Sequence, residues 1–213
     1  MTGSKATHLH EWAEKAGRAY CRFDYSGHGT SDGAFEDGVI SAWAADARAV
    51  LDQLTEGPQI LVGSSMGGWI AALLALARPE RIAGIVFIAP APDFTEKLMW
   101  PSFTQEERDT IMREGRLVQP SDYSDEPEVL TRALFDDGRN NLVMTGSVPI
   151  HAPIHILQGM NDDAVPWSHA MAFAQQLESK RIEITMTKTG DHRLSTDEDL
   201  KRLVEAVENL LTQ

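Results

Sequence analysis

The chain has 213 residues, 42% hydrophobic and 24% charged, which is enough to build one well-buried domain. Its formal net charge of −13 disfavours nucleic acid and anionic membrane surfaces as partners. It contains no apolar run near the roughly 20 residues that span a bilayer, and its polar first residues predict a cytoplasmic location.

The chain contains a single cysteine, Cys21. A lone cysteine excludes an internal disulfide bond and a cysteine-rich metal site. Because Cys21 lies in an apolar stretch, the sequence predicts a buried structural thiol.

Short apolar runs alternate with helical patterns along the chain. The runs are bounded by Gly, Pro or Asp and predict strands at Ala19–Tyr25, Gln59–Gly63, Ile82–Ala89, Ile154–Gln158 and Ile182–Lys188. Amphipathic or Ala- and Leu-rich segments predict helices at Ser4–Ala16, Val39–Leu54, Met66–Ala77, Ser168–Glu178 and Thr196–Leu211. This alternation is typical of an α/β fold, with a mostly parallel sheet covered by helices on both faces. We expect one domain over residues 1–213.

One segment, about residues 93–150, interrupts the alternation. It contains helical stretches at Thr104–Glu114 and Pro127–Val143 and polar turns, but no clear strand. Because it is too long for a simple connection, we interpret it as a small helical cap inserted between two strands. Its predicted apolar underside consists of Trp100, Phe103, Met112, Leu130 and Phe135.

A candidate nucleophile lies between a predicted strand and a predicted helix. Residues Gly63–Gly67 fit the pattern G-x-S-x-G, with Ser65 at its centre. A sharp strand-to-helix turn exposes such a serine in strained backbone geometry. The helix that follows begins at Met66, whose N–H is then placed to stabilise an oxyanion.

A serine nucleophile needs a base and an orienting acid. In α/β folds with this motif, the acid follows a later strand and the histidine follows the last strand. Asp162 and Asp163 follow the strand Ile154–Gln158, and His192 follows the final strand. The spacing alone leaves the choice between the two aspartates open.

The other histidines lie elsewhere in the pattern. His28 follows the end of a predicted strand and is a candidate for substrate contact. None of the remaining five occupies the position that the base requires; these are His8, His10, His151, His155 and His169.

These motifs resemble the α/β-hydrolase superfamily and, within it, the family of α/β-hydrolase domain-containing protein 10. The resemblance covers essentially the whole chain and is densest at Arg22–Gly27, Gly57–Ser65, Asp162–Trp167 and Asp191–Arg193. Members of that family act as acyl-protein thioesterases and acyl-glucuronide esterases. The resemblance implies Ser65, Asp162 and His192 as the catalytic triad, with Asp162 rather than Asp163 as the acid.

The start of the chain departs from the family pattern. Members normally have further strands before the first helix, followed by a His-Gly loop that supplies a second oxyanion donor. Here the strand that should lie between Ala19–Tyr25 and Gln59–Gly63 in the sheet is absent. We therefore expect an N-terminally truncated hydrolase fold with a gap in its sheet.

The predicted function is hydrolysis of a carboxylic ester or thioester in a small-molecule or acylated substrate, with no metal or cofactor. Two alternatives stay open. One is a non-catalytic, hydrolase-like fragment or binding protein, and the other is a peptidase that uses the same triad. The sequence does not predict the oligomeric state.

Overall fold

The computed structural model describes residues 2–120 and 127–212. The strands are β1 Gln59–Ser64, β2 Ile82–Ile88, β3 Arg116–Gln119, β4 Glu128–Thr131, β5 Ile154–Gly159 and β6 Ile182–Thr187. The helices are α1 Ser4–Lys15, α2 Ile40–Leu54, α3 Met66–Ala77, α4 Trp100–Ser102, α5 Gln105–Glu114, α6 Arg132–Asn140, α7 Trp167–Gln176 and α8 Asp197–Leu211.

The main sheet has four parallel strands in the order β1-β2-β5-β6. Side chains alternate between its faces, as they must along any strand. Ile85 and Phe87 of β2 pack against α2, α3 and α7, whereas Val86 and Ile88 pack against α1 and α8. The predicted α/β architecture, with helices on both faces of a parallel sheet, is therefore confirmed.

The predicted strand Ala19–Tyr25 is wrong, because these residues form no strand. A cavity of about 920 Å³ is lined both by this segment and by β1 residues such as Leu61 and Val62. A strand requires a neighbour that pairs with its backbone N–H and C=O groups, and the cavity occupies the place of that neighbour. Among the described residues the sheet therefore ends at β1, so the expected gap between two strands is instead an open edge with a cavity beside it.

The prediction of a buried Cys21 is also wrong, since this residue is exposed. Cys21 lines the same cavity. The apolar character of its surroundings in the sequence is real, but the sheet does not extend far enough to cover it.

The segment between β2 and β5 contains more than helices. A π-helical turn at Thr95–Met99 and helices α4 and α5 are followed by the antiparallel pair β3–β4, and then by α6. The expectation of no strand here is wrong, as is the single helix expected over Pro127–Val143. That stretch begins as β4, and the Thr131 side chain then caps the start of α6 by accepting the Leu134 N–H. The polar turn at residues 121–126 lies outside the described residues.

This inserted segment has a small apolar core of its own. Phe103, Leu130 and Phe135 are buried together with Ile111, and the Phe103 and Phe135 rings are 5.7 Å apart. Met112, which we expected on the same apolar side, is 42% exposed instead. Its neighbour Ile111 takes the buried position because adjacent helical residues face different directions.

A buried carboxylate ties the two ends of the inserted segment together. Asp93 is fully buried and accepts the backbone N–H groups of Val143 and Met144, each at 2.8 Å. Burial raises the pKa of the Asp93 carboxyl, although these two hydrogen bonds act in the opposite direction. These hydrogen bonds therefore hold the beginning and the end of the inserted segment against each other.

Among residues 2–120 and 127–212, no helix combines the length and the apolar character that crossing a bilayer requires.

We predict that Phe87→Ala lowers the free energy of unfolding by about 3–5 kcal/mol. Phe87 is fully buried, and its ring meets the Phe173 ring edge-on at 5.3 Å, so truncation leaves a cavity. Urea unfolding measures the loss. The control is Leu54→Ala, at a position 71% exposed, where the change should stay within about 0.5 kcal/mol. Equal effects at the two positions would contradict this account of the core.

Candidate active site

Ser65 occupies a strained turn between β1 and α3. Its backbone has φ 53° and ψ −121°, a conformation that non-glycine residues rarely adopt. The turn is held by hydrogen bonds from the Ser65 N–H to the Ile88 carbonyl at 2.9 Å and from the Ala91 N–H to the Ser65 carbonyl at 3.1 Å. The neighbouring strand thus fixes the position of this serine.

Glycine is required beside the serine because the turn is so tight. A Cβ atom on Gly63 would lie 2.3 Å from the Gly67 carbonyl oxygen, much closer than van der Waals contact allows. Glycine at position 63 is therefore a packing requirement of this turn, whereas a Cβ atom on Gly67 would come no nearer than 3.9 Å, to the Tyr25 hydroxyl. Met66 is the first residue of α3, so its N–H has no acceptor within the helix and lies at the positive end of the helix dipole.

Asp162 lies in the loop after β5, and its side chain is fully buried. One carboxylate oxygen, Oδ1, accepts the backbone N–H groups of Ala164 at 3.0 Å and Val165 at 2.8 Å. The other oxygen, Oδ2, is 2.8 Å from Nδ1 of His192. Asp163, the alternative that the spacing left open, is exposed.

His192 lies in the loop after β6 and bridges the other two side chains. Its Nε2 atom is 3.0 Å from the Ser65 hydroxyl oxygen, and its Nδ1 atom faces Asp162. With the proton on Nδ1, the imidazole donates to Asp162 and offers Nε2 as an acceptor to the Ser65 hydroxyl. The side chain of His192 is 18% exposed, so the bridge is largely screened from water.

The loops that carry Asp162 and His192 are in direct backbone contact. The Asn161 N–H donates to the Gly190 carbonyl, and the Met160 N–H donates to the Thr187 carbonyl, both at 2.9 Å. A Cβ atom on Gly159 would lie 2.2 Å from the Gly190 carbonyl oxygen. The absence of a side chain at Gly159 therefore allows the two loops to meet.

The surroundings of Asp162 favour its ionised form. Burial alone raises the pKa of this carboxyl, but hydrogen bonds from His192 and from the Val165 and Ala164 N–H groups outweigh burial and leave the pKa below its usual value. The carboxylate is thus available to stabilise a positive charge on the adjacent imidazole.

The other histidines lie apart from this arrangement. His28 is packed among the rings of Tyr25, Phe35 and Trp43, 5.1–5.8 Å between ring centroids, and its contact with substrate stays a prediction. His169 is buried against the Pro92 carbonyl oxygen at 2.8 Å.

Sequence reasoning missed two buried polar residues, Asp93 at the base of the inserted segment and Gln158 on β5. Gln158 is fully buried and contacts Asp162. Its signal was a lone amide at the end of a largely apolar strand. In the described part of the chain, no group of three or more His, Cys, Asp or Glu side chains is placed to hold a metal ion.

The chain matches the protein-family model described as Hydrolase_4, serine aminopeptidase S33, over residues 2–148. It is 35% identical to the mitochondrial palmitoyl-protein thioesterase ABHD10 of Bos taurus, an alignment that covers 99% of this chain and 69% of the relative. The chain belongs to the ABHD10 family of α/β-hydrolases.

Two solved structures have the same fold. The mouse α/β-hydrolase domain-containing protein 10 superposes with a TM-score of 0.91 at 31% identity, covering all of this chain and 85% of that one. A putative hydrolase from Agrobacterium vitis S4 superposes with a TM-score of 0.95 at 45% identity, covering 99% of this chain and 83% of that one. The resemblance predicted from the sequence motifs is therefore confirmed, and with it membership of a family of carboxylic ester and thioester hydrolases.

The expected cytoplasmic location is contradicted by these comparisons. The ABHD10 relatives from cattle, human and mouse are mitochondrial proteins by name. The expectation rested on the polar character of the first residues, and the names of these relatives overturn it.

We predict that Gly159→Ala separates the loops of the acid and the histidine. The added methyl group would collide with backbone, which cannot move aside as a flexible side chain can, so we expect a loss of about 1–3 kcal/mol in the free energy of unfolding. Urea unfolding measures it. A matched control is Gly3→Ala, where a Cβ meets nothing within 4 Å. Unchanged stability in Gly159→Ala would show that the loops are not held this closely.

The lowered pKa of Asp162 predicts a specific dependence of stability on pH. Because the folded-state pKa lies below the usual value of 3.8, ionised Asp162 stabilises the fold above pH 3.8, and this contribution is lost as the pH falls through the folded-state pKa. The gap in unfolding free energy between the unaltered chain and Asp162→Asn should therefore narrow below about pH 4.

Urea unfolding from pH 7 to pH 2.5 tests this dependence. Asp163→Asn alters the exposed neighbour and should stay within about 0.5 kcal/mol of the unaltered chain. If the difference in unfolding free energy between the unaltered chain and Asp162→Asn stays constant from pH 7 to pH 2.5, the lowered pKa of Asp162 is contradicted.

Proposed function

We propose that this ABHD10-family chain is a serine hydrolase that cleaves carboxylic esters and thioesters through Ser65, His192 and Asp162. The observation that carries the proposal is one continuous line of hydrogen bonds. Asp162 lies 2.8 Å from His192 Nδ1, and His192 Nε2 lies 3.0 Å from the Ser65 hydroxyl. Residues 127 positions apart in the chain meet in this line.

The first half-reaction transfers the acyl group to the enzyme. The Ser65 oxygen attacks the carbonyl carbon while His192 Nε2 takes the hydroxyl proton. The imidazolium that forms is stabilised by the Asp162 carboxylate, and it then protonates the leaving alcohol or thiol as the bond to the acyl carbon breaks. The product of this half-reaction is an ester of Ser65.

The second half-reaction uses water in place of the serine hydroxyl. His192 removes a proton from water as its oxygen attacks the acyl carbon, and it returns that proton to the Ser65 oxygen when the carboxylic acid leaves. The Met66 N–H, at the start of α3, is the proposed donor to the oxyanion in both halves. None of these steps requires a metal ion or a cofactor.

The substrate class follows from the proposed chemistry and from the relatives. The bovine relative carries the name palmitoyl-protein thioesterase, which favours an acylated substrate with a thioester or ester linkage. The acyl chain length and the leaving group are set by the pocket and not by the fold.

One observation favours a second candidate, a hydrolase-like protein with little turnover. The cavity beside β1 adjoins the turn that carries Ser65, where this family has a further oxyanion donor. Loss of one such donor costs about 2.7–4 kcal/mol in transition-state stabilisation, or 10²–10³ in rate. Such a protein would both form and hydrolyse the acyl-enzyme slowly, although Ser65 could still react with an activated probe.

We predict that Ser65→Ala abolishes covalent labelling by a fluorophosphonate probe and lowers hydrolysis of an activated short-chain ester by at least about 10³-fold. The adjacent serine gives a matched control, because Ser64→Ala alters the last residue of β1 and leaves the proposed nucleophile in place. Labelling is read by intact-mass spectrometry and hydrolysis by product absorbance.

The outcomes separate the candidates. Labelling with slow turnover in the unaltered chain supports the second candidate, whereas labelling with steady turnover supports the first. Undiminished labelling or hydrolysis in Ser65→Ala would overturn the assignment of the nucleophile.

A further inference from the structure

Gln158 is a buried amide near the end of β5, a strand whose remaining residues are apolar apart from His155. It is the penultimate residue of β5, it pairs with Met186 of β6 in the sheet register, and it is fully buried. Burying an amide is unfavourable unless its polar atoms form hydrogen bonds. The contacts of this side chain therefore need a physical explanation.

The Gln158 amide nitrogen is surrounded by acceptors. Nε2 lies 3.0 Å from the Gly159 carbonyl oxygen, 3.2 Å from the Val165 carbonyl oxygen and 3.3 Å from Oδ2 of Asp162. Because all three neighbours can only accept, the amide cannot be reversed without placing oxygen against oxygen. Its own oxygen, Oε1, makes no hydrogen bond with any described residue. The site thus uses Gln158 as a donor and leaves its acceptor unsatisfied.

The contact with Asp162 falls on the oxygen that also serves the histidine. Oδ1 of Asp162 is occupied by two backbone N–H groups, whereas Oδ2 is shared by His192 Nδ1 and Gln158 Nε2. The Gln158 amide and the backbone donors together fix the rotation of the carboxylate, so that Oδ2 points at the imidazole. The amide also competes with the imidazole for that oxygen.

We infer that Gln158 is a positioning residue, which holds the Asp162 carboxylate for His192 and moderates the hydrogen bond between them. This inference rests on the proposed function. The Gln158 amide acts only through Asp162, and it is buried beneath the loop that carries this acid. Removing it should therefore change the rate of the chemical step and leave substrate binding unaltered.

Several groups that can carry a charge lie near Gln158 and Asp162. Asp162 faces the imidazole of His192, and Asp163 is exposed in the same loop. Asp191 and Arg193 flank the histidine in sequence, and Lys5 of α1 donates a hydrogen bond to the Arg193 carbonyl. A carboxyl group introduced at position 158 would be the charge nearest to Asp162 after the imidazole.

The first test is Gln158→Met, which keeps the approximate volume of the side chain and removes the donor. We expect kcat to fall about tenfold with KM unchanged, because a shared hydrogen bond to a carboxylate is lost far from the substrate. The low-field proton resonance of the bond between His192 and Asp162 should move further downfield, since Oδ2 then accepts from one donor only.

The second test is Gln158→Glu, which introduces a carboxyl group that donates a hydrogen bond only when it is protonated. Burial and the adjacent carboxylate raise the pKa of the introduced carboxyl group, so at pH 5.5 it is protonated and can donate to Asp162. At pH 8 a growing fraction is ionised and cannot donate. Relative to the unaltered chain, the activity of Gln158→Glu should therefore fall steadily from pH 5.5 to pH 8.

A matched control is Thr185→Val on β6. It removes a half-buried side-chain hydrogen bond to His155 from the same pair of strands, opposite Leu157 in the register, and it does not touch Asp162. It should leave kcat and the low-field resonance unchanged. The same downfield shift in Thr185→Val, or an unmoved resonance and unchanged kcat in Gln158→Met, would overturn the inference.

The measurements separate this inference from the proposed function. If the unaltered chain neither labels nor turns over, the proposed function fails, and the resonance still reports whether Gln158 shares Oδ2. If Gln158→Met does not fold, Gln158→Glu compared at the two pH values decides, because a purely structural role predicts no movement of the resonance between them beyond that of the unaltered chain.

Discussion

Two close approaches between backbone segments position the three hydrogen-bonded side chains of the candidate active site. At one, Gly63 and Gly67 meet across the turn that carries Ser65, and at the other, Gly159 and Gly190 bring together the loops after β5 and β6. A methyl group at Gly63 or Gly159 would lie 2.2–2.3 Å from a backbone oxygen of the opposing segment. The hydrogen-bonded line from Asp162 to Ser65 depends on these contacts, because its two bonds, at 2.8 and 3.0 Å, tolerate little displacement of any loop.

The environment of the acid explains how an ionised carboxylate persists in a buried position. Burial by itself opposes the charge, and four donors offset it, since backbone N–H groups serve Oδ1 while His192 and Gln158 serve Oδ2. In the proposed mechanism, the Asp162 carboxylate stabilises the imidazolium that forms when His192 takes the proton of the serine hydroxyl.

The rest of the fold places the hydrogen-bonded side chains of Asp162, His192 and Ser65 at the carboxyl end of the sheet. Helices on both faces bury the strands and fix the loop ends, and Asp93 fastens both ends of the inserted segment beside the same edge. The cavity along the free edge of β1 interrupts this arrangement. It leaves backbone groups of β1 without strand partners next to the turn that bears Ser65.

The sequence by itself determined the α/β class, four strands, the principal helices and the turn at Ser65, because strand periodicity and the glycine spacing of the turn are local constraints. It also gave the family, through motifs that survive at about 35% identity. The choice of Asp162 over Asp163 came from the resemblance to the family and not from spacing. Only the tertiary structure decided that Ala19–Tyr25 is not a strand, that β3 and β4 pair within the insertion, and that Gln158 touches the acid. Each of these depends on which segments become neighbours in space, and hydrogen bonds between distant segments leave no periodic signal in either one.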